Sequence, residues 1–275
     1  MERSPGVVIA TYAICEAMDI FCEQRSTGEA RLRFDVGNPE SDVAGTVRGP
    51  FSAFSSTLPS TYSIRQGRCV VVDPCYWTPT LPFHYEVEVA ADGKEYQFQW
   101  GIRWCVPHRD DLRLGGKRFV FRAIEFDVMG SGDVEASLGL LRELKTGLIV
   151  HSPSDELCQL ATERGVILFA AGEATDSSLG HLNRHAGVHF ASGFRRGTDL
   201  LAVSRPSESH GHIELLDEDE LKQSVGGGDR HGRPQFISRP ASASGINDLR
   251  DACDALQRDM ARFGQFAGYL ITSDS

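Results

Sequence analysis

The 275-residue sequence has no C-x-x-C pair, although it holds seven cysteines, at Cys15, Cys22, Cys69, Cys75, Cys105, Cys158 and Cys253. Neither a zinc ribbon nor a thioredoxin-type redox motif fits that spacing. An odd, dispersed set of thiols points to free cysteines in a reducing compartment, so a cytoplasmic location is expected. No apolar run approaches the roughly 20 residues of a membrane helix. The first stretch, MERSPGVVIATYAICEAMDIFC, is apolar in patches, but Glu2, Glu16 and Asp19 interrupt it. It is read as strand-like rather than as a targeting segment, and no membrane partner is expected. Positive charge is scarce: 28 Lys+Arg against 38 Asp+Glu leave a net charge of −10, which speaks against generic nucleic-acid binding. There is no G-x-S-x-G elbow, no dinucleotide fingerprint and no cysteine in a nucleophile context. The glycine-rich VGGGDRHG loop lacks the G-K-[ST] ending of a phosphate loop, so no cofactor is expected.

What remains is an ordinary globular composition, 41% hydrophobic and 24% charged. The first hundred residues carry little helix signal. ARLRFDVGN (30–38), TYSIRQGRCVVVD (61–73), HYEVEVAADG (84–93) and KEYQFQWGIRWC (94–105) alternate apolar and polar residues, and Ala91-Asp92-Gly93 joins the last two as a tight hairpin. Short strands at this spacing predict a β-sandwich over residues 1–106.

From residue 107 onward the period changes. KRFVFRAIEFDV (117–128) reads as a strand, and residues 133–147 as a helix with Val134, Leu138, Leu141 and Leu144 on one face. LIVHS follows as a strand, then a helix between the N-cap Ser154 and Gly165, then the buried strand VILFAAG. Further on, SSLGHLNRHAG and DEDELKQSV read as helices, VHFASG, TDLLAVS and PQFISR as strands, INDLRDACDALQRDMARFG as a long helix and FAGYLIT as a last strand. That is the βαβ signature of a parallel sheet, with about seven strands, or eight if HIELL is one. A (β/α) barrel is the natural closure. Residues 107–275 are fewer than the 200–250 such a barrel usually takes, so a shortened one is expected.

Two stretches then resemble a known family. DPCYWTPTLPFHYEVEV is similar to the D-P-x-x-W-[ST]-P-x-x-P-x-x-Y segment of family-2 glycoside hydrolases, matched by Asp73, Pro74, Trp77, Pro79, Pro82 and Tyr85. WGIRWCVPHRDDLRLGGKRFVFRAI resembles that family's passage into its barrel, through Gly101, Ile102, Arg103, Leu114, Gly116, Lys117 and Arg122. His151, Pro153, Leu157, Cys158 and Gly165 keep step with its second and third barrel strands, although Val150 stands where the family has an arginine. The resemblance runs from Asp73 onward. It implies an immunoglobulin-like sandwich followed by a shortened, degenerate TIM-like (β/α)8 barrel, and a sugar as ligand.

The resemblance also implies where catalysis would sit. Such enzymes use two carboxylates at barrel strand ends, one as acid/base and one as nucleophile. The acid/base belongs to an N-H-P-S-x-x-x-W-S-x-G-N-E-like stretch after the fourth strand. NRHAGVHFASGFRRG takes that place, with His185 and Ser192 in step but Arg195 and Arg196 at the Asn-Glu positions. The nucleophile ends a G-K-P-x-x-x-[ST]-E strand, and GRPQFISRP puts Arg239 there. Arginine stays protonated, so it can neither attack the anomeric carbon nor accept a proton. The expectation is therefore a catalytically degenerate protein that binds carbohydrate, an anionic glycan if Arg196 and Arg239 pair at the barrel mouth, with Arg195, His151 and His185 as further ligand candidates; the alternative is that these arginines are solvated or salt-bridged to Glu173, Asp176, Asp199 or Asp274. The competing readings are a hydrolase that uses relocated acids, drawn from Glu125, Asp127, Glu173 and Asp176, and a purely structural or partner-binding role. His181, His185 and His189 are spaced four apart, but a strand starting near Val188 separates them, so no metal is expected. Trp77 and the WGIRW tryptophans suit either sugar stacking or a core.

Overall fold

In the computed structural model, residues 18–108, 110–171, 185–192, 200–202, 212–218, 234–242, 245–264 and 266–273 are described. The strands β1 (Asp19–Arg25), β2 (Glu29–Asp35) and β5 (Arg68–Val72) make one antiparallel sheet. The second contains β4 (Ser60–Ile64), β3 (Ala44–Phe51), β6 (His84–Ala91) and β7 (Lys94–Trp100) in that order. Alternation decides which side chains go inward. Ala30, Leu32, Phe34, Cys69 and Val71 of the first sheet share one core with Val47, Tyr85, Val87, Val89, Tyr96 and Trp100 of the second. The hairpin expected between residues 84 and 105 forms, with Asp92 and Gly93 at φ 51° and 73°, the paired left-handed conformations of a tight turn. Residues 61–73 differ from the expectation of one strand. Gln66 and Gly67, at φ 49° and 68°, fold them into β4 and β5, which join different sheets. Strand β3 has too few apolar alternations to have been visible.

A small antiparallel sheet of β8 (Cys105–His108), β9 (Asp111–Leu114) and β10 (Lys117–Arg118) follows, so a division between residues 106 and 107 would pass through β8. The segment read as one strand over 117–128 is thereby split into β10 and β11 (Phe121–Glu125). Strands β11, β12 (Gly147–His151), β13 (Leu168–Ala171), β14 (Val188–Ser192), β15 (Leu200–Ala202), β16 (His212–Asp217), β17 (Gln235–Pro240) and β18 (Gly268–Thr272) then close into a barrel of eight, HIELL supplying β16. One expectation needs correction: β15 runs antiparallel to both neighbours. Parallel neighbours need a crossover of a dozen or more residues, and residues 193–199 and 203–211 are too few.

Three helices cover the described outside: α1 (Val134–Glu143), α2 (Asp155–Arg164) and α3 (Ile246–Met260). The Asp133 carboxylate accepts the Ala136 N–H at 2.9 Å to start α1, and Ser154 Oγ accepts the Leu157 N–H at 3.3 Å to start α2. Gly165 ends α2 at φ 74°, where a Cβ would lie 2.3 Å from the Pro79 carbonyl. The helices once expected over 177–187 and 217–225 lie for the most part outside the described residues.

Two cores tell the barrel's faces apart. Leu138, Leu141, Leu157, Leu249 and Leu256 of the helices pack on Ile124, Leu148, Leu168, Ile237 and Ile271, which are therefore outward residues. Phe121, Ala123, Ile149, Phe169, Leu215, Phe236 and Leu270 form the inner core with Leu112 and Leu114 of β9 and with Trp77. The rings of Phe121, Phe169 and Phe236 stand 5.8–6.3 Å apart. Each fully buried ring contributes roughly 1.5–3 kcal/mol.

The D-P-C-Y-W-T-P segment is the joint between the two halves. Trp77 is completely buried and donates Nε1–H to the Thr162 carbonyl at 2.9 Å. The Tyr85 hydroxyl accepts the Cys75 N–H at 2.9 Å, and buried Arg103 donates to the Val188 carbonyl at the start of β14.

Candidate functional site

In β11 the inward residues are Phe121 and Ala123, so Glu125 at the strand's carboxyl end is inward too. In β12 Ile149 is inward, and so is His151 two residues on. These two side chains meet. His151 Nε2 lies 3.0 Å from Glu125 Oε1, while Glu125 Oε2 accepts the Ser273 N–H at 2.9 Å, just beyond β18. Both carboxylate oxygens are engaged, which fixes the Glu125 side chain. The carboxylate is mostly shielded, at 20% side-chain exposure, whereas His151 is open at 64%. Carboxyl ends of barrel strands are where barrel enzymes place reactive groups. This corner offers one held carboxylate and one accessible imidazole, enough to accept and donate hydrogen bonds to a polyhydroxyl ligand.

Arg239 departs from its expected place. Leu215 and Phe236 pair across β16 and β17 and both point inward, and Leu216 and Ile237 pair and point outward. Two residues further on, Glu218 and Arg239 therefore share the outer side. Arg239 Nε and Nη2 hold Glu218, the latter bond being 2.9 Å, and Nη2 also reaches Asp259 of α3 at 2.6 Å. Glu218 is only 8% exposed. Its hydrogen bond to Arg239 raises the guanidinium pKa above the ordinary arginine value, burial opposing and Asp259 reinforcing. The arginine is a strut between strand end and helix, not an open fork for an anionic ligand. Sequence reasoning missed Glu218 and Asp259. The signal was the parallel register of HIELLD beside QFISR, which sets Glu218 next to Arg239.

The other candidates separate. Asp127 is exposed, and its carboxylate accepts the Gly130 N–H at 2.9 Å within a turn. His185 precedes β14, at the opposite end of the parallel strands from His151, and its Nε2 faces Asp155 at 3.2 Å. That carboxylate opens α2, four residues after His151. The fourth barrel strand runs inside the stretch assigned to the acid/base rather than before it, since β14 spans Val188–Ser192. Glu173, Asp176, Arg195 and Arg196 lie outside the described residues. Trp77 and Trp100 are buried and serve the core rather than stacking on sugars. Burial pushes the thiols of Cys69 and Cys253 up to about 11 and that of Cys158 to about 12, far from nucleophilic at neutral pH. Among the described residues no group of three His, Cys, Asp or Glu could hold a metal ion, and no helix is long and apolar enough to cross a membrane.

No protein-family model matches the sequence, and no curated protein matches it. Solved structures do match in fold. A β-glucuronidase of Faecalibacterium prausnitzii superposes with a TM-score of 0.56 at 15% identity, over 90% of this chain and 49% of that one. The Bifidobacterium dentium β-glucuronidase complexed with coumarin-3-O-glucuronide gives 0.57 at 14% identity, over 93% and 52%. A β-glucuronidase from glycoside hydrolase family 2 gives 0.53 at 12% identity, over 94% and 37%. The fold is thus glycoside-hydrolase-like, and within that class it resembles the family-2 β-glucuronidases. The chain spans about half the length of the first of these.

Proposed function

We propose that this is a carbohydrate-binding protein of family-2 glycosidase descent that does not hydrolyse glycosides: an immunoglobulin-like sandwich on a shortened TIM-like barrel. The observation that carries the reading is the end of β17. Retaining hydrolysis needs two carboxylates about 5–5.5 Å apart across the anomeric carbon. The strand in the nucleophile's place ends in an arginine committed to Glu218 and Asp259, with Ser238 as its inward neighbour. Ser238 is a weak nucleophile, and its hydroxyl donates to the Leu216 carbonyl at 3.3 Å rather than to a base among the described residues. The carboxylate at the described mouth, Glu125, has both oxygens occupied by His151 and Ser273. It suits hydrogen bonding to sugar hydroxyls.

Because the exposed group at this corner is an imidazole backed by a carboxylate, a neutral sugar fits it better than an anionic one. The test is a glycan-array screen followed by titration calorimetry. Binding of a neutral oligosaccharide should weaken at least about tenfold in His151→Ala and in Glu125→Gln, consistent with losing one or two hydrogen bonds. Release of nitrophenol from aryl glycosides that is lost in Glu125→Gln would instead establish a hydrolase with relocated acids.

A further inference from the structure

At the opposite end of the barrel, the joint segment and the first strands leave a cleft of about 420 Å³, its open mouth included. Phe119, Leu141 and Ile167 give it an apolar floor, and Arg122, Arg142 and Lys145 line it without any acidic residue. Gly147, which also lines it, begins β12, and His151 ends that strand. The cleft is therefore more than 10 Å from the mouth, at about 3.3 Å per residue.

Charge decides what could enter. Helix α1 is capped at Leu144, next to the lining residue Lys145, and α2 at Gly165, which lines the cleft; each carboxyl end carries about half a negative charge. Asp254, 3.7 Å from Arg122, is shared with Arg250, which also gives its Nε–H to the Leu144 carbonyl at 3.2 Å. With these cations counted, the cleft keeps a net positive excess. Arg142 is held in place, stacked 3.6 Å over the Phe54 ring and giving Nη2–H to the Thr80 carbonyl at 3.3 Å. Its Nε is buried with no hydrogen-bond partner among the described residues. Lys145 is exposed and makes no ion pair among the described residues, and its φ of 53° fixes it at the rim just past α1.

We propose that this cleft binds a small monoanion with an apolar body, of the aromatic carboxylate class. The apolar part lies on Phe119 and the edge of Ile167, above the buried Leu141, and the carboxylate pairs with Lys145 and Arg142. The test is calorimetric titration of the whole protein with 2-naphthoate at low salt, with neutral 2-naphthamide as the comparison. Naphthoate should bind saturably at one site, and the amide at least about tenfold more weakly. Lys145→Gly should cost about tenfold in naphthoate affinity, and glycine adopts φ 53° more readily than lysine, so the variant keeps its fold. Raising the salt to 0.5 M should weaken binding as well. No saturable binding, equal affinity for acid and amide, or full affinity in Lys145→Gly would each overturn the proposal.

Discussion

Replacing Arg239 by methionine should cost the fold about 3 kcal/mol at neutral pH. The arginine supplies two hydrogen bonds to Glu218, which is 8% exposed. Removing one partner of a buried ion pair costs roughly 3–5 kcal/mol, because the other charge stays behind. The Arg239 side chain is 23% exposed and that of Asp259 is 55% exposed, which places the loss at the low end. Methionine preserves the aliphatic stem, so little of the effect comes from packing. Replacing both members, Arg239→Met with Glu218→Leu, should return stability to within about 1 kcal/mol of the parent. The pH dependence has a definite sign. A carboxylate deprived of its cation gains by taking up a proton, so the deficit of Arg239→Met should shrink as pH falls. In the parent, Arg239 is raised above the ordinary value, so the guanidinium itself stays charged at every pH below that value and gives up its proton only above it. Urea unfolding followed by tryptophan fluorescence reads all of this. A single variant as stable as the parent, or a double variant as unstable as the single one, would refute the strut and return Arg239 to the list of ligand groups.

Other outcomes follow from the same geometry. Gly268→Ala should destabilise by about 1–3 kcal/mol in a thermal melt, since its Cβ would lie 2.1 Å from the Phe236 ring inside the barrel. Phe236→Ala should cost about 3–5 kcal/mol by opening the three-ring inner core. Cys69, Cys158 and Cys253 should resist a thiol reagent at pH 8 until the chain unfolds. Because their folded pKa values of about 11–12 exceed the unfolded value of 9.0, the stability they contribute is complete below pH 9 and is lost as pH rises through 11–12. His151→Ala should leave the melting temperature nearly unchanged, its side chain being 64% exposed, while weakening sugar binding.

Much of the fold was legible in the residues. Asp133, Ser154 and Gly165 mark helix ends that form where their chemistry requires, and Asp92-Gly93 turns its hairpin. The matched Trp77 and Tyr85 turn out to clasp the joint through Thr162 and Cys75. Strand direction was not legible at β15, because it depends on the length of the connections more than on the strand's own residues. The face of Arg239 was hidden for another reason. Phe236 and Ile237 are both fully buried, one inside the barrel and one beneath the helices, so no alternation showed which way the next residues point. A one-residue change of face converts a candidate ligand group into a structural ion pair. The Glu125–His151 pair was half visible: both residues stood out, but only the parallel pairing of β11 with β12 brings them together.

A barrel proposed to keep a sugar site but not the hydrolytic pair is put to the proof by a steady-state assay of the purified protein with nitrophenyl β-glucuronide and β-galactoside. No nitrophenol release above that of buffer is expected, in the parent and in Glu125→Gln alike. Saturable release by the parent that disappears in Glu125→Gln would contradict it.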